Sequence, residues 1–449
     1  IGTDFLSQGD LFDDEARRKV NPFDWEMEFP EIMKNGGFDS VIGNPPYGAE
    51  LPESAWDYLK AKFHTFVWRG ESYLLFAEKA ISLLSLHGQF GYIIPDTYLN
   101  LEFTQSLRDF VLRNTKIREV VLLPSNVFSG ATVDTTLLLV ERAKTAGSYI
   151  DSSVSVKVFV KKREIQAIDA PDRKFAIPTK AWFEGRAFNV QSDAEESELL
   201  LRIESNHAPL SSSAEMFYGI KAYQVGKGKP PQTKPILEEK PFTSRKRKNK
   251  MFLPFFDGKH IGRYQLLWNH DNWIKYGPWL AEPRIPTKYE GEKILIRKIV
   301  GNTLVATYVE DTSYCNTLLF VLRMKKGIEC DYKYVLGILN SKLIGWYFRK
   351  KFQISSEDTF PQIMIRDLLQ LPIRTIMAKG PAEKQMYSEF VEAVDRMLEL
   401  HKKLSGLSFD SEKEPIERQI AATDKKIDEL VYKLYGLTEE EIKIVEGDK

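Results

Sequence analysis

Apolar residues along this chain fall into two rhythms, and the change from one to the other divides it. Phe38, Val41 and Ile42 form a short apolar run that stops at Gly43 and meets Pro45 and Pro46, which cannot continue a hydrogen-bonded ladder. A buried strand ending in a rigid loop is predicted. Over residues 71–86, Leu74, Leu75, Ala77, Ile81 and Leu84 recur at near-helical spacing, and His87-Gly88 supplies a helix end. A strand at 89–95, a helix over 101–113 and strands at 117–123 and 133–141 follow. This alternation predicts an α/β region, a mainly parallel sheet with helices on both faces, with the last two strands as its antiparallel edge. Residues 142–186 lose clear periodicity apart from a strand-like run at 154–160, and they have the composition of a linker.

Beyond a helix near 195–203, the run 216–221 opens a second region. Strands are predicted at 293–300, 303–309 and 318–322, then one helix over 334–348 with a strongly apolar side. Residues 382–404 and 412–434 carry apolar side chains at three- and four-residue intervals, which predicts a terminal helical pair. Three regions are expected: 1–165, 166–375 and 376–449.

At 449 residues the chain is too long for one ordinary core, and its 43% hydrophobic and 12% aromatic content is that of a globular protein. Lys plus Arg and Asp plus Glu both number 63, so an argument for a nucleic-acid partner has to be local. It is found between Lys221 and Arg263, where twelve Lys or Arg face only Glu238, Glu239 and Asp257. Lys221 and the run Arg245, Lys246, Arg247 and Lys248 are candidate DNA-backbone contacts, since phosphate clamping is sequence-independent. A solvated loop is the competing reading of that run. Cys315 and Cys330 are too few for a disulfide framework or a cysteine zinc site, which fits a reducing cytoplasm. No apolar run is long enough to span a bilayer, and no metal site is expected.

In an open α/β sheet, ligands bind outside the carboxyl ends of the strands, where Asn44 and Tyr47 are expected. A side-chain amide, a proline-fixed carbonyl and an aromatic face suit a planar ring that bears an amino group. The two oxygens accept its hydrogens while the ring is stacked.

Asn44-Pro45-Pro46-Tyr47 at a strand end resembles motif IV of the amino methyltransferases, and its Asn form points to adenine N6. The strings FDWE-x-EFPE and GGFD-x-VIGNPPY resemble the Eco57I-type methyltransferase modules of fused restriction-modification proteins. The region around 339–348 and the C-terminal string IDELVYKLYGLTEEEI are similar to the recognition domains and ends of such enzymes. The resemblance implies a partial Rossmann-like methyltransferase sheet, an α+β target-recognition domain and a C-terminal helical region. It implies a bacterial, site-specific adenine-N6 methyltransferase that uses S-adenosylmethionine on a base flipped out of double-stranded DNA. Asn44 and Pro45 would bind the amino group, Pro46 would stiffen the loop and Tyr47 would stack on the base. The resemblance also places an aromatic of motif VIII at Phe128, as a second wall of the base site; a Phe anchoring its own loop is the alternative. Magnesium would enter only with an upstream nuclease.

Residues 1–37 contain no G-x-G cofactor loop, so this sequence is expected to be the C-terminal piece of a longer enzyme, inactive alone, with the missing N-terminal part as its partner. Asp4 or Asp10 are the acidic residues available for cofactor contact. Two other functions remain open: a DNA-binding specificity module without activity of its own, and a protein glutamine-N5 methyltransferase, which also uses Asn-Pro-Pro-Tyr.

Overall fold

In the computed structural model, which describes residues 23–67, 71–124, 127, 133–144, 149–159, 167–184, 187–190, 192–299, 301, 303–328, 330–352, 363–374 and 380–447, the apolar run after Gly37 forms strand β1 (Phe38–Gly43). Gly37 has φ +119°, and a Cβ there would lie 2.3 Å from the Leu83 carbonyl oxygen, so only glycine lets the chain enter β1 this close to its neighbour. Helix α1 (Ser72–Ser82) buries Leu74, Leu75, Ala77 and Ile81, the residues that carried its periodicity, and packs on β2 (Leu84–Pro95). The expected helix end at His87-Gly88 is instead a bulge inside β2. Leu84 already pairs with Phe38, the register then shifts so that Ser40 meets Gln89, and His87 takes the left-handed conformation at φ +70°.

Helix α2 (Gln105–Asn114) leads to β3 (Thr115–Leu122), and β4 (Thr135–Arg142) returns antiparallel to it. The sheet order is β1-β2-β4-β3, continued by β5 (Ser153–Val158) and β6 (Arg173–Pro178). β4 is no edge. It lies between β2 and β3, antiparallel to both, so the sheet is mixed rather than mainly parallel. The expected linker is corrected too: within 142–186, β5 and β6 extend the sheet, and Trp182, stacked on Phe188 at 4.5 Å, joins the same buried core. β5 is the strand-like run expected at 154–160, whereas β6 buries only Ile177, with Lys174 among its exposed residues, and this one-sided burial hides it from a hydrophobicity reading.

The chain divides into two compact units, Ile1–Ser197 and Glu198–Lys449. In the second, helix α3 (Ala194–Asn206) leads to β7 (Ala214–Tyr218), and then β8 (Thr243–Ser244), β9 (Phe252–Phe256), β10 (Trp273–Lys275), β11 (Lys293–Arg297), β12 (Ala306–Val309), β13 (Tyr314–Cys315) and β14 (Leu319–Met324) follow. They make two four-stranded sheets, ordered β12-β11-β14-β7 and β13-β9-β10-β8. The single helix expected over 334–348 is two, α4 (Tyr332–Asn340) and α5 (Lys342–Lys351), divided at Ser341. Its hydroxyl donates to Ile338 O at 2.7 Å and accepts from Ile344 N at 3.2 Å, ending one helix and capping the next. Both helices are buried along their apolar residues on every side, not one. The terminal pair forms as α6 (Pro381–Ser405) and α7 (Asp410–Tyr435), packed against each other and followed by α8 (Glu439–Glu446).

Lys293, at the start of β11, is completely buried, and its ammonium donates to the Gly291 and Asp311 carbonyls at 2.9 and 2.6 Å. Desolvation pulls its pKa down to about 8. From about pH 8 up to its ordinary range the unfolded chain holds this proton more tightly, so stability from this group rises with pH. Burial pushes the neighbouring Cys315 thiol up to about 12, an opposing effect that begins near pH 9. Between pH 8 and 9, the stability of the wild type relative to Lys293→Met should therefore climb by about 1 kcal/mol per pH unit in denaturant titrations. A flat difference would show that the amine stays protonated in the fold over this range, its pKa not lowered by burial.

Candidate functional site

Strand β1 runs parallel to β2 with Gly43 opposite Tyr92. A Cβ on Gly43 would come within 3.0 Å of the Tyr92 ring, so glycine at this last position lets that ring lie against the strand end. The next four residues make the loop that the sequence singled out. Asn44 is exposed, Pro45 buried, Pro46 exposed and Tyr47 half-buried. The Tyr47 hydroxyl lies 2.8 Å from the Ile93 carbonyl, one residue past the last β2 residue that pairs with β1, and 2.6 Å from Asn44 Oδ1. Its single hydrogen is shared between these two acceptors, which ties the loop to the neighbouring strand. Ser72, the first residue of α1, donates from its hydroxyl to Pro46 O at 2.7 Å and accepts from Ala49 N at 3.3 Å.

Three elements thus hold the loop: the carboxyl ends of two parallel strands and the start of a helix. Asn44 and Tyr47 are brought together as expected; the anchoring roles of Ser72 and Ile93 were not foreseen. Serine opening an apolar helical run was the available signal for the first, and a carbonyl partner leaves no mark in sequence. The Tyr73 ring meets Tyr47 edge-on with centroids 6.4 Å apart. Burial raises the Tyr47 pKa, so its phenol stays protonated and a donor at neutral pH. Amide oxygen has two lone pairs. With one facing the phenol, the other remains on the exposed side of Asn44, fixed in direction by a half-buried anchor.

Phe128, Asp4 and Asp10 lie outside the described residues, as does the rest of the 128–132 segment. The FDWE-x-EFPE string has a structural account. Asp24 accepts from Glu26 N and Met27 N, capping a short helical turn, and Trp25 and Phe29 pack edge-on against Phe38 at the start of β1.

In the second unit, Arg245, Lys246, Arg247 and Lys248 form one exposed stretch that leaves β8. The Arg247 guanidinium lies 5.4 Å from the centre of the Trp273 ring and the Lys248 ammonium 5.7 Å from that of Phe252. Lys221 is half-buried and exchanges backbone hydrogen bonds with Glu282. Of the aromatics downstream, Phe252, Phe255, Phe256, Tyr264 and Trp273 are buried and hold the fold.

The loop at 44–47 fits the acceptor side of a group transfer: an exposed oxygen, a buried proline and a ring face. The described residues around it make no comparable cradle for a cofactor. β1 pairs only with β2 among them, and Ile42 on this strand is 85% exposed. No group of three or more His, Cys, Asp or Glu is placed to hold a metal ion among the described residues, and none of the helices searched is long and apolar enough to cross a membrane.

The six-stranded mixed sheet with its loop at the carboxyl edge, the α+β unit and the long terminal helices define a class of fold: mixed α/β with a C-terminal helical region. Residues 3–128 match the Eco57I restriction-modification methylase family and residues 253–373 the TaqI-like C-terminal specificity domain, and the chain is homologous to type II restriction-modification enzymes. A Methanocaldococcus jannaschii protein assigned as a type II restriction enzyme and methyltransferase, RM.MjaORFECS2P, is 26% identical over 428 residues, covering 94% of this chain and 33% of its own length. The type II methyltransferase M.TthHB8I of Thermus thermophilus is 21% identical over 370 residues, 79% of this chain and 76% of that protein. RM.Eco57I of Escherichia coli is 29% identical over 148 residues, 32% of this chain. The chain thus spans about a third of the first relative and 14% of the last. Among solved structures, the type IIL restriction-modification enzyme MmeI in complex with DNA superposes with a TM-score of 0.51 at 13% identity, over 93% of this chain and 56% of MmeI, a likeness of fold.

Proposed function

We propose that this chain is the base-binding and target-reading part of a site-specific DNA adenine-N6 methyltransferase of a restriction-modification or phage-defence system. The observation that carries the proposal is the Asn44 amide, exposed at the carboxyl end of β1 with its orientation held by Tyr47, in a chain that continues into a TaqI-like specificity domain. Adenine N6 is a weak nucleophile because its lone pair is delocalised into the ring. Asn44 Oδ1 and the Pro45 carbonyl accept the two amino hydrogens, favour a pyramidal nitrogen and direct its lone pair. Tyr47 offers its ring face to the base, and Phe128 is assigned the opposite wall. Flipping the base out of the duplex costs a few kcal/mol, offset by this stacking and hydrogen bonding.

S-adenosylmethionine, the methyl donor of the methylase family, supplies an electrophilic methyl group. The glycine-rich loop that would hold it is assigned to sequence outside this chain, a reading supported by β1 pairing with β2 alone among the described residues. The basic stretch 245–248, with Lys221, is assigned to the DNA backbone. Glutamine as the acceptor would use the same loop, yet leaves the specificity domain without a task.

The test is methyl transfer from labelled S-adenosylmethionine to unmodified bacterial duplex DNA, by this chain and by this chain extended with its cofactor-binding part. Label on adenine N6 with the extended protein alone is expected. Label on a protein glutamine and none on DNA overturns the reading, and sequence-specific binding without transfer by either protein reduces the chain to a specificity module.

A further inference from the structure

In the second unit, residues 268–272, Trp-Asn-His-Asp-Asn, lead into β10 and form a loop whose frame is fixed from inside. Trp268 Nε1 donates to Asn272 O at 3.2 Å and Trp273 Nε1 donates to His270 O at 2.9 Å. Asp271 Oδ2 accepts from Lys259 Nζ at 3.1 Å, and its Oδ1 lies 2.9 Å from His260 Nε2. With both ends and the carboxylate held, Asn269 and His270 are the exposed residues at the tip. His270 sits at φ +57°, a left-handed conformation that costs a non-glycine residue energy and that the surrounding bonds maintain. The Asn269 amide makes no hydrogen bond among the described residues, so its donor pair and acceptor remain available.

Beside this tip lies the basic stretch. β8 pairs with β10 so that Ser244 is opposite Trp273, and the chain leaves β8 into Arg245–Lys248 at that end of the sheet. Trp273 gathers the two segments: Arg247 lies 5.4 Å from its ring centre, and the His270 ring stacks on it with centroids 6.1 Å apart. A rigid polar tip next to uncompensated cations combines the two requirements for reading a duplex, since phosphate contacts set position and base-edge contacts set sequence. A carboxamide is the side chain whose donor and acceptor match adenine N7 and N6 in the major groove.

We infer that residues 268–272 are a base-reading element of the specificity unit, in which Asn269 selects adenine at one position of the target while the neighbouring Arg245–Lys248 stretch grips the phosphates. This rests on the DNA-reading function proposed above and names the residues that perform it.

The test is selection of bound duplexes from a randomised DNA library by the full chain, the Asn269→Ala chain and the Arg247→Ala chain, with thermal melting of each. The wild type is expected to enrich one sequence. Asn269→Ala should melt at the same temperature and lose roughly tenfold of its discrimination for adenine at a single position, leaving the others intact. Arg247→Ala should weaken all sequences alike and reduce the slope of log affinity against log salt by about one. If the wild type selects a sequence and Asn269→Ala selects the same one as stringently, the loop assignment is overturned and the DNA-reading function stands. If the wild type selects none, the DNA-reading function falls and the inference with it.

Discussion

On the proposed function, replacing Asn44 with Ala in the extended protein should lower the rate of methyl transfer to DNA by about 10²–10³-fold or more, while duplex affinity stays within about twofold. The magnitude is that of removing one preorganised polar partner from a reacting centre. The side chain is exposed and belongs to the first unit, whereas the basic stretch and the polar loop at 268–272 belong to the second. On that proposal, what is lost is the acceptor beside Tyr47, and with it the reason for N6 to pyramidalise. Single-turnover methylation with saturating DNA, beside a filter-binding titration, separates the two quantities. Equal methylation rates for variant and wild type would remove Asn44 from the chemistry, whereas parallel losses in rate and affinity would make it a binding residue only.

The largest effect expected on stability is at Asn340, the last residue of α4. Its amide nitrogen donates to Ala306 O and its amide oxygen accepts from Ala306 N, both at 3.0 Å, so a buried side chain completes the backbone pairing of β12. Asn340→Ala leaves the Ala306 N–H unpaired in the core of the second unit, at about 1–3 kcal/mol, while Ala306 O keeps the bond it accepts from Tyr264 N at 2.9 Å. A loss of about 1–3 kcal/mol in denaturant unfolding is expected. Asn340→Leu should be no better, because it restores volume without hydrogen bonds. Recovery of stability by Leu would show that packing, not pairing, is what Asn340 provides. Its backbone carbonyl also accepts from Arg263 Nη2, which bridges to Asp424 on α7. The site therefore joins a strand, two helices and an ion pair, and the loss should be cooperative across the unit.

How these features were legible differs from one to the next. The Asn44–Tyr47 loop could be read directly because glycine and proline punctuate a chain through their own dihedral limits, which need no partner. α1, α6 and α7 emerged from apolar spacing for a similar reason: one face is buried and the period is local. β5 was visible as the strand-like run at 154–160, but β6 escaped because it buries only Ile177 at the margin of the sheet, and its remaining residues resemble a linker. The break at Ser341 escaped for the opposite reason. Residues on both sides of it are buried all round, and uniform burial erases the period that would mark two helices.

By itself, then, the sequence determined which residue types stand in the candidate site, where the main helices run, and that a basic stretch precedes an aromatic-rich second region. These follow from composition, dihedral limits and short-range periodicity. Only the tertiary structure decided that β4 inserts antiparallel between β2 and β3, that Ile93 and Ser72 anchor the loop, that Lys293 and Asn340 are buried against backbone carbonyls, and that Trp273 gathers Arg247 and His270. Each of these depends on partners distant in the chain or on backbone groups that every residue carries alike. Hydrophobic patterning records how deeply a residue is buried, and carries no record of which neighbour it meets or in which direction that neighbour runs.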